Sequence, residues 1–74
     1  MRRRRRMPVV TIEMWPGRTV EQKRRLVRAV TDAMVEHADA NPKNLHVVIH
    51  DVARENWGLA GVLGVDRTDV DDDD

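Results

Sequence analysis

Two runs of alternating apolar residues flank one capped amphipathic helix, and that order leaves the chain few ways to fold. In Pro8–Trp15, Val10, Ile12 and Met14 fall on one face and Val9, Thr11 and Glu13 on the other, the period of a half-buried strand. Pro8 sits at the first residue, where a missing N–H is tolerated, and Pro16-Gly17 stops the run. Thr19-Val20-Glu21-Gln22 reads as a capping box. The apolar stripe of Leu26, Val27, Val30, Ala33, Met34 and Ala38 then predicts a helix from about Val20 to His37 or Ala38, ending before Asn41-Pro42. In the second strand, Leu45–Val52, residues Leu45, Val47 and Ile49 face one way and His46, Val48 and His50 the other. Two strands joined through one helix make a right-handed β-α-β unit with parallel strands. The fold class is therefore α/β. Ala53–Val65, with Gly58, Gly61 and Gly64, reads as a turn and a short hairpin.

Such a unit leaves one sheet face and both edges uncovered, and 74 residues build only a small core. With no cysteine, disulfides and thiolate chemistry are excluded. His37, His46 and His50 lie in no ligand-like cluster with carboxylates, so no metal site is expected. Oligomerisation through the sheet is left as the supporting device. No apolar run approaches the ~18 residues of a membrane span, and no secretory leader follows the basic start; the expected compartment is the cytoplasm.

The net charge of zero hides an asymmetry, because Arg2–Arg6 is a block of five positive charges and Asp71–Asp74 a block of four negative ones. Like-charge blocks bury nothing, so the chain divides into a disordered basic extension (1–7), a domain (8–67) and an acidic disordered tail (68–74). Clustered arginines can neutralise phosphates, but the domain is nearly neutral and continues no basic face. Nucleic acid is not an expected partner.

Pro8 at the start of the first strand, Pro16-Gly17-Arg18-Thr19 at its end, Glu21-Gln22-Lys23 opening the helix, and Glu55-Asn56-Trp57-Gly58 with Gly61 behind it occur in one order. In that order and spacing the chain, from about Pro8 to Leu63, resembles the 4-oxalocrotonate tautomerase (2-hydroxymuconate tautomerase) family. The resemblance implies a cofactor-free isomerase, assembled as a dimer or hexamer, whose base is the secondary amine of an amino-terminal proline. It would convert small 2-hydroxydienoates to α,β-unsaturated ketones. Pro8 matches that proline. An amine in an apolar pocket has its charged form disfavoured, which suits it to accept a proton near neutral pH.

As written, Met7 acylates the Pro8 nitrogen, and an amide has no basic lone pair. Either translation starts at Met7, which is then removed ahead of a small residue, or the chain is inert by this mechanism; we expect the first. Arginines such as those at 2–6 are what a purine-rich ribosome-binding sequence encodes when read in frame, although appended charged tails would also account for both runs.

The resemblance gives Arg18 the role of clamping a substrate carboxylate, for which two parallel N–H donors are suited. Trp57 matches an aromatic position lining the pocket, with ordinary core filling as its other reading. His46 departs from the family, whose well-studied members carry a second arginine there; histidine is shorter and a weaker electrophile, so diacid specificity is in doubt. His46 is either a hydrogen-bond donor to substrate oxygen or a strand residue only. The expected partners are a small carboxylic acid and further copies of the chain. Alternatives are a related proline-dependent dehalogenase or decarboxylase, or a non-catalytic oligomeric scaffold if Pro8 stays blocked.

Overall fold

The computed structural model describes residues 7–68. Strand β1 (Val9–Met14) leads to helix α1 (Val20–Ala38), which returns the chain to β2 (His46–Asp51). The strands pair in parallel with Val9 opposite His46 and Met14 opposite Asp51, the expected β-α-β unit. Pairing extends one residue past each end: the His46 N–H donates to the Pro8 carbonyl at 3.0 Å, and the Val52 N–H to the Met14 carbonyl at 2.8 Å. A 3-10 turn at Arg54–Asn56 precedes a two-residue-per-strand antiparallel hairpin, β3 (Gly58–Leu59) and β4 (Val62–Leu63), and a second 3-10 turn covers Gly64–Asp66. The first turn and the hairpin were expected and the second 3-10 turn was not. The basic extension and the acidic tail, apart from Met7 and Thr68, lie outside the described residues.

Helix α1 starts where its cap requires. The Gln22 N–H donates to Thr19 Oγ1 at 3.1 Å and the Thr19 N–H to Gln22 Oε1 at 2.8 Å, so both halves of the capping box close. Gly17 makes the turn into the cap at φ 128°, a conformation that a Cβ disfavours. Lys23, in the first turn, pairs with Asp51 at the end of β2, Nζ to Oδ2 2.5 Å. At the other end Asp39 adopts the left-handed conformation (φ 57°, ψ 30°) and its N–H donates to the Met34 carbonyl, a closure that aspartate tolerates better than most residues.

The sheet is two-faced. Val10, Ile12, Met14, Val47 and Ile49 are half-buried, as are Leu26, Val30 and Met34 of α1. Val9, Thr11, Glu13, His46, Val48 and His50 form an exposed face, with Val9 still 59% accessible. Glu13 and His50 approach to 3.7 Å across it. Among the described residues Gly64 alone is buried, and no hydrophobic side chain is. A lone protomer is thus half of a layered structure, since one sheet face has no partner layer. Among the described residues no helix is long and apolar enough to cross a membrane.

Candidate active site

The described fold separates the four candidate residues into two groups. Pro8 and His46 stand where β1 and β2 begin; Arg18 and Trp57 follow the strands' other ends. Six strand residues at ~3.3 Å each put about 20 Å between those ends.

Pro8 is half-buried and keeps the parity of Val10, Ile12 and Met14, on the helix side of the sheet. There it borders a hollow of about 520 Å³ with Met34, Ala38 and Ala40 as apolar wall and Asp39, Asn41 and Asn44 as polar rim. The rim is fixed locally. Asn41 Oδ1 accepts from the Lys43 N–H at 3.0 Å, and the Asn41 carbonyl accepts from the Asn44 N–H at 2.9 Å. The Ala40 N–H donates to the Met34 carbonyl. His46 has the opposite parity: its side chain lies on the exposed face beside Val9, away from the hollow of its own protomer.

Arg18, half-buried, sits between Gly17 and the Thr19 cap. The positive end of the α1 dipole therefore reinforces its charge toward an anion. Trp57 closes the first 3-10 turn and meets Trp15 edge-to-face, with ring centroids 6.2 Å apart at 80°. The Arg54 guanidinium lies over the other ring, 4.3 Å from the Trp15 centroid, and donates to the Gly64 carbonyl at 3.3 Å. Gly64 fits under Trp15 because it has no side chain; a Cβ there would come within 2.8 Å of Trp15 Cζ2. The Trp15 indole N–H is buried with no acceptor. Sequence reasoning did not single out Arg54. Its only signal was a cation three residues before the Trp57 turn.

A second, more open hollow of about 520 Å³ runs along α1 past Val20, Lys23, Arg24, Val27, Arg28 and Thr31 and touches none of the four candidates. Among the described residues no three histidine, aspartate or glutamate side chains are grouped to hold a metal ion.

Comparison with known proteins places the fold. The family model described as tautomerase enzyme matches residues 8–67. The 2-hydroxymuconate tautomerase of Comamonas testosteroni is 50% identical over 56 residues, 76% of this chain and 89% of that protein. A solved 4-oxalocrotonate tautomerase isozyme from Methylibium petroleiphilum is 46% identical, covering 78% of this chain and 94% of its own, with a TM-score of 0.72. A heterohexameric 4-oxalocrotonate tautomerase from Chloroflexus aurantiacus is 28% identical over 81% of this chain and 97% of its own, with a TM-score of 0.74. With a match over the whole span from Pro8 to Arg67, this chain belongs to the tautomerase enzyme family.

Proposed function

We propose that the protein is a cofactor-free tautomerase that interconverts enol and keto forms of small unsaturated 2-hydroxy and 2-oxo acids, in the form whose chain begins at Pro8. The observation that carries this reading is the position of Pro8, at the open start of β1 against a mainly apolar wall of Met34, Ala38 and Ala40. A free secondary amine there accepts the proton of the substrate's 2-hydroxyl and delivers a proton to a carbon of the conjugated chain. The carbonyl forms as the double bond shifts, and the amine ends as it began. General base catalysis of this kind contributes about 10²–10⁴-fold.

Arg18 clamps the carboxylate, Trp57 supplies an apolar wall and His46 donates to a substrate oxygen. Because about 20 Å of strand separates Pro8 from Arg18, one small acid cannot touch both within a protomer. The working site is therefore assembled between copies, in a homo-oligomer that also covers the exposed sheet face. The heterohexameric relative supports assembly on this scale. Solved relatives consist almost wholly of the matching span, which supports residues 8–67 as a complete folding unit.

A second reading rests on Met7, which precedes Pro8 and makes its nitrogen an amide. A chain that keeps Met7 is an oligomeric scaffold without this activity. Intact mass together with ketonisation of 2-hydroxymuconate separates the two: loss of residues 1–7 with turnover supports the enzyme, and turnover by a chain that retains them sinks the proline mechanism.

A further inference from the structure

We infer that Arg54 is a positioning residue: its guanidinium sets the Trp57 ring, the proposed apolar wall, against the segment that leads to Arg18. This rests on the reading of Arg18 and Trp57 as site residues and adds a residue that acts through one of them.

Arg18 and Trp57 stand on segments that the sheet does not hold together. The parallel ladder ends where the Val52 N–H donates to the Met14 carbonyl. Beyond that bond one segment runs through Trp15 to Arg18 and the other through Arg54 to Trp57. Side chains carry the link from there. The Arg54 guanidinium lies over the Trp15 ring, 4.3 Å from its centroid, and Trp15 meets Trp57 edge-to-face at 6.2 Å. Arg54 also holds the backbone on both sides of Trp57. Its carbonyl accepts from the Trp57 N–H at 3.3 Å, and its Nη2 donates to the Gly64 carbonyl at 3.3 Å. The Gly64 N–H in turn donates to the Trp57 carbonyl at 2.7 Å. Arg54, Trp57 and Gly64 thus close a ring of three hydrogen bonds, with Trp15 seated against the glycine. A planar guanidinium suits this place, because it lies over an indole and still directs N–H groups at a carbonyl; an ammonium offers one point of charge. The Trp57 backbone is therefore bound at its N–H and at its carbonyl, and its ring is set against an indole that Arg54 covers. Trp15, Arg54 and Trp57 are half-buried and Gly64 is buried within one protomer, so the arrangement enters the assembly already made.

The chain carries two tryptophans and no tyrosine or phenylalanine, so its aromatic circular dichroism reports this pair alone. Indoles 6.2 Å apart at 80° are close enough for exciton coupling, which appears as a couplet. Arg54→Met keeps the aliphatic stem and removes the guanidinium. In the chain beginning at Pro8 it should shrink the couplet and keep the helix signal. The ligand probe is trans,trans-muconate, a diene diacid with no 2-hydroxyl to react. By calorimetry Arg54→Met should bind it about tenfold more weakly, a coupling of the size found between residues in contact. Placed in a Trp57→Ala chain, the same substitution should change the affinity by less than about twofold, since the ring it sets is gone. A couplet or an affinity that Arg54→Met leaves unchanged overturns the inference and makes Arg54 a stabilising residue only. An equal loss in both backgrounds overturns it too, and assigns Arg54 to the ligand itself. If Arg54→Met does not fold, Arg54→Lys, which keeps a cation without the planar fork, is held to the same outcomes. If the unaltered chain binds no muconate, or Trp57→Ala binds it equally well, the reading of Trp57 as a site wall fails and takes the inference with it.

Discussion

The backbone N–H of His46 donates to the carbonyl of Pro8 at 3.0 Å, so the first β2 residue fixes the start of β1 through its acyl side. The Pro8 nitrogen takes no part in that bond. Anchoring on one side and freedom on the other suit a residue whose nitrogen must meet a substrate. The chain beginning at Pro8 should therefore ketonise 2-hydroxymuconate or phenylenolpyruvate at least about 10²-fold faster than the chain beginning at Met1, the lower bound for a lost general base. Its rate should climb with pH through one deprotonation, because only the neutral amine accepts a proton. Equal rates from the two forms would refute the assignment of Pro8.

Arg18→Ala should raise KM for an acidic enol by an amount worth about 1.5–3 kcal/mol, the range for a hydrogen bond to a charged group. The Thr19–Gln22 capping box does not involve the guanidinium and stays in place in the variant, so the helix signal in circular dichroism should be kept. The same loss on a substrate lacking a carboxylate would assign Arg18 another role.

The strands, the helix and its cap are legible in the sequence because their causes are local. Thr19 and Gln22 find each other across three residues, and Val10, Ile12 and Met14 share a face by alternation alone. The position of Arg54 over Trp15 was not legible, since 39 residues separate two side chains that only the β-α-β crossover brings together. Asp39 also escaped notice: Asn41-Pro42 marks where the helix must stop, but not which earlier residue turns left-handed to end it. The resemblance named Pro8 and Arg18 as one site, while alternation and strand length put them at opposite ends of β1. That distance is what makes the proposed site a property of the assembly.

Gly64→Ala should destabilise the C-terminal segment by about 1–3 kcal/mol, the usual cost of overpacking. The new methyl would lie 2.8 Å from Trp15 Cζ2 and 3.1 Å from the Arg54 carbonyl oxygen. Trp15 cannot retreat freely, with Arg54 over its ring and Trp57 at its edge. Urea unfolding followed by tryptophan fluorescence measures the change. A loss below about 0.5 kcal/mol, the ordinary surface value, would show that this cluster is looser than its contacts imply.

Ala60→Asn should stabilise the hairpin. The Leu59-to-Val62 turn has two central residues, Ala60 at φ 56° and Gly61 at φ 82°, the double positive φ of a type I′ turn that favours Asn-Gly. Alanine there bears part of the ~1–2 kcal/mol penalty of the left-handed region. Asparagine should recover about 0.5–1 kcal/mol of it, read as a higher urea midpoint at unchanged slope. Ala60→Val, β-branched and worse at positive φ, should move the midpoint the other way. A pair of shifts with the same sign would contradict the turn.

Val48→Lys should weaken the assembly without unfolding the protomer. Val48 lies on the uncovered sheet face, 39% exposed, on the same side as Val9, His46 and His50. In an isolated protomer a lysine there would reach water and change stability by no more than an exposed substitution does, about 0.5 kcal/mol. Against a second copy it would put an unpaired cation into a partly apolar contact, where desolvation costs several kcal/mol. Light scattering across a dilution series should find the unaltered protein as a dimer or hexamer and the variant shifted to smaller species, while circular dichroism of the dissociated protein keeps the helix signal. A stable folded monomer of the unaltered chain at micromolar concentration would remove the assembly, and with it the meeting of Pro8 and Arg18.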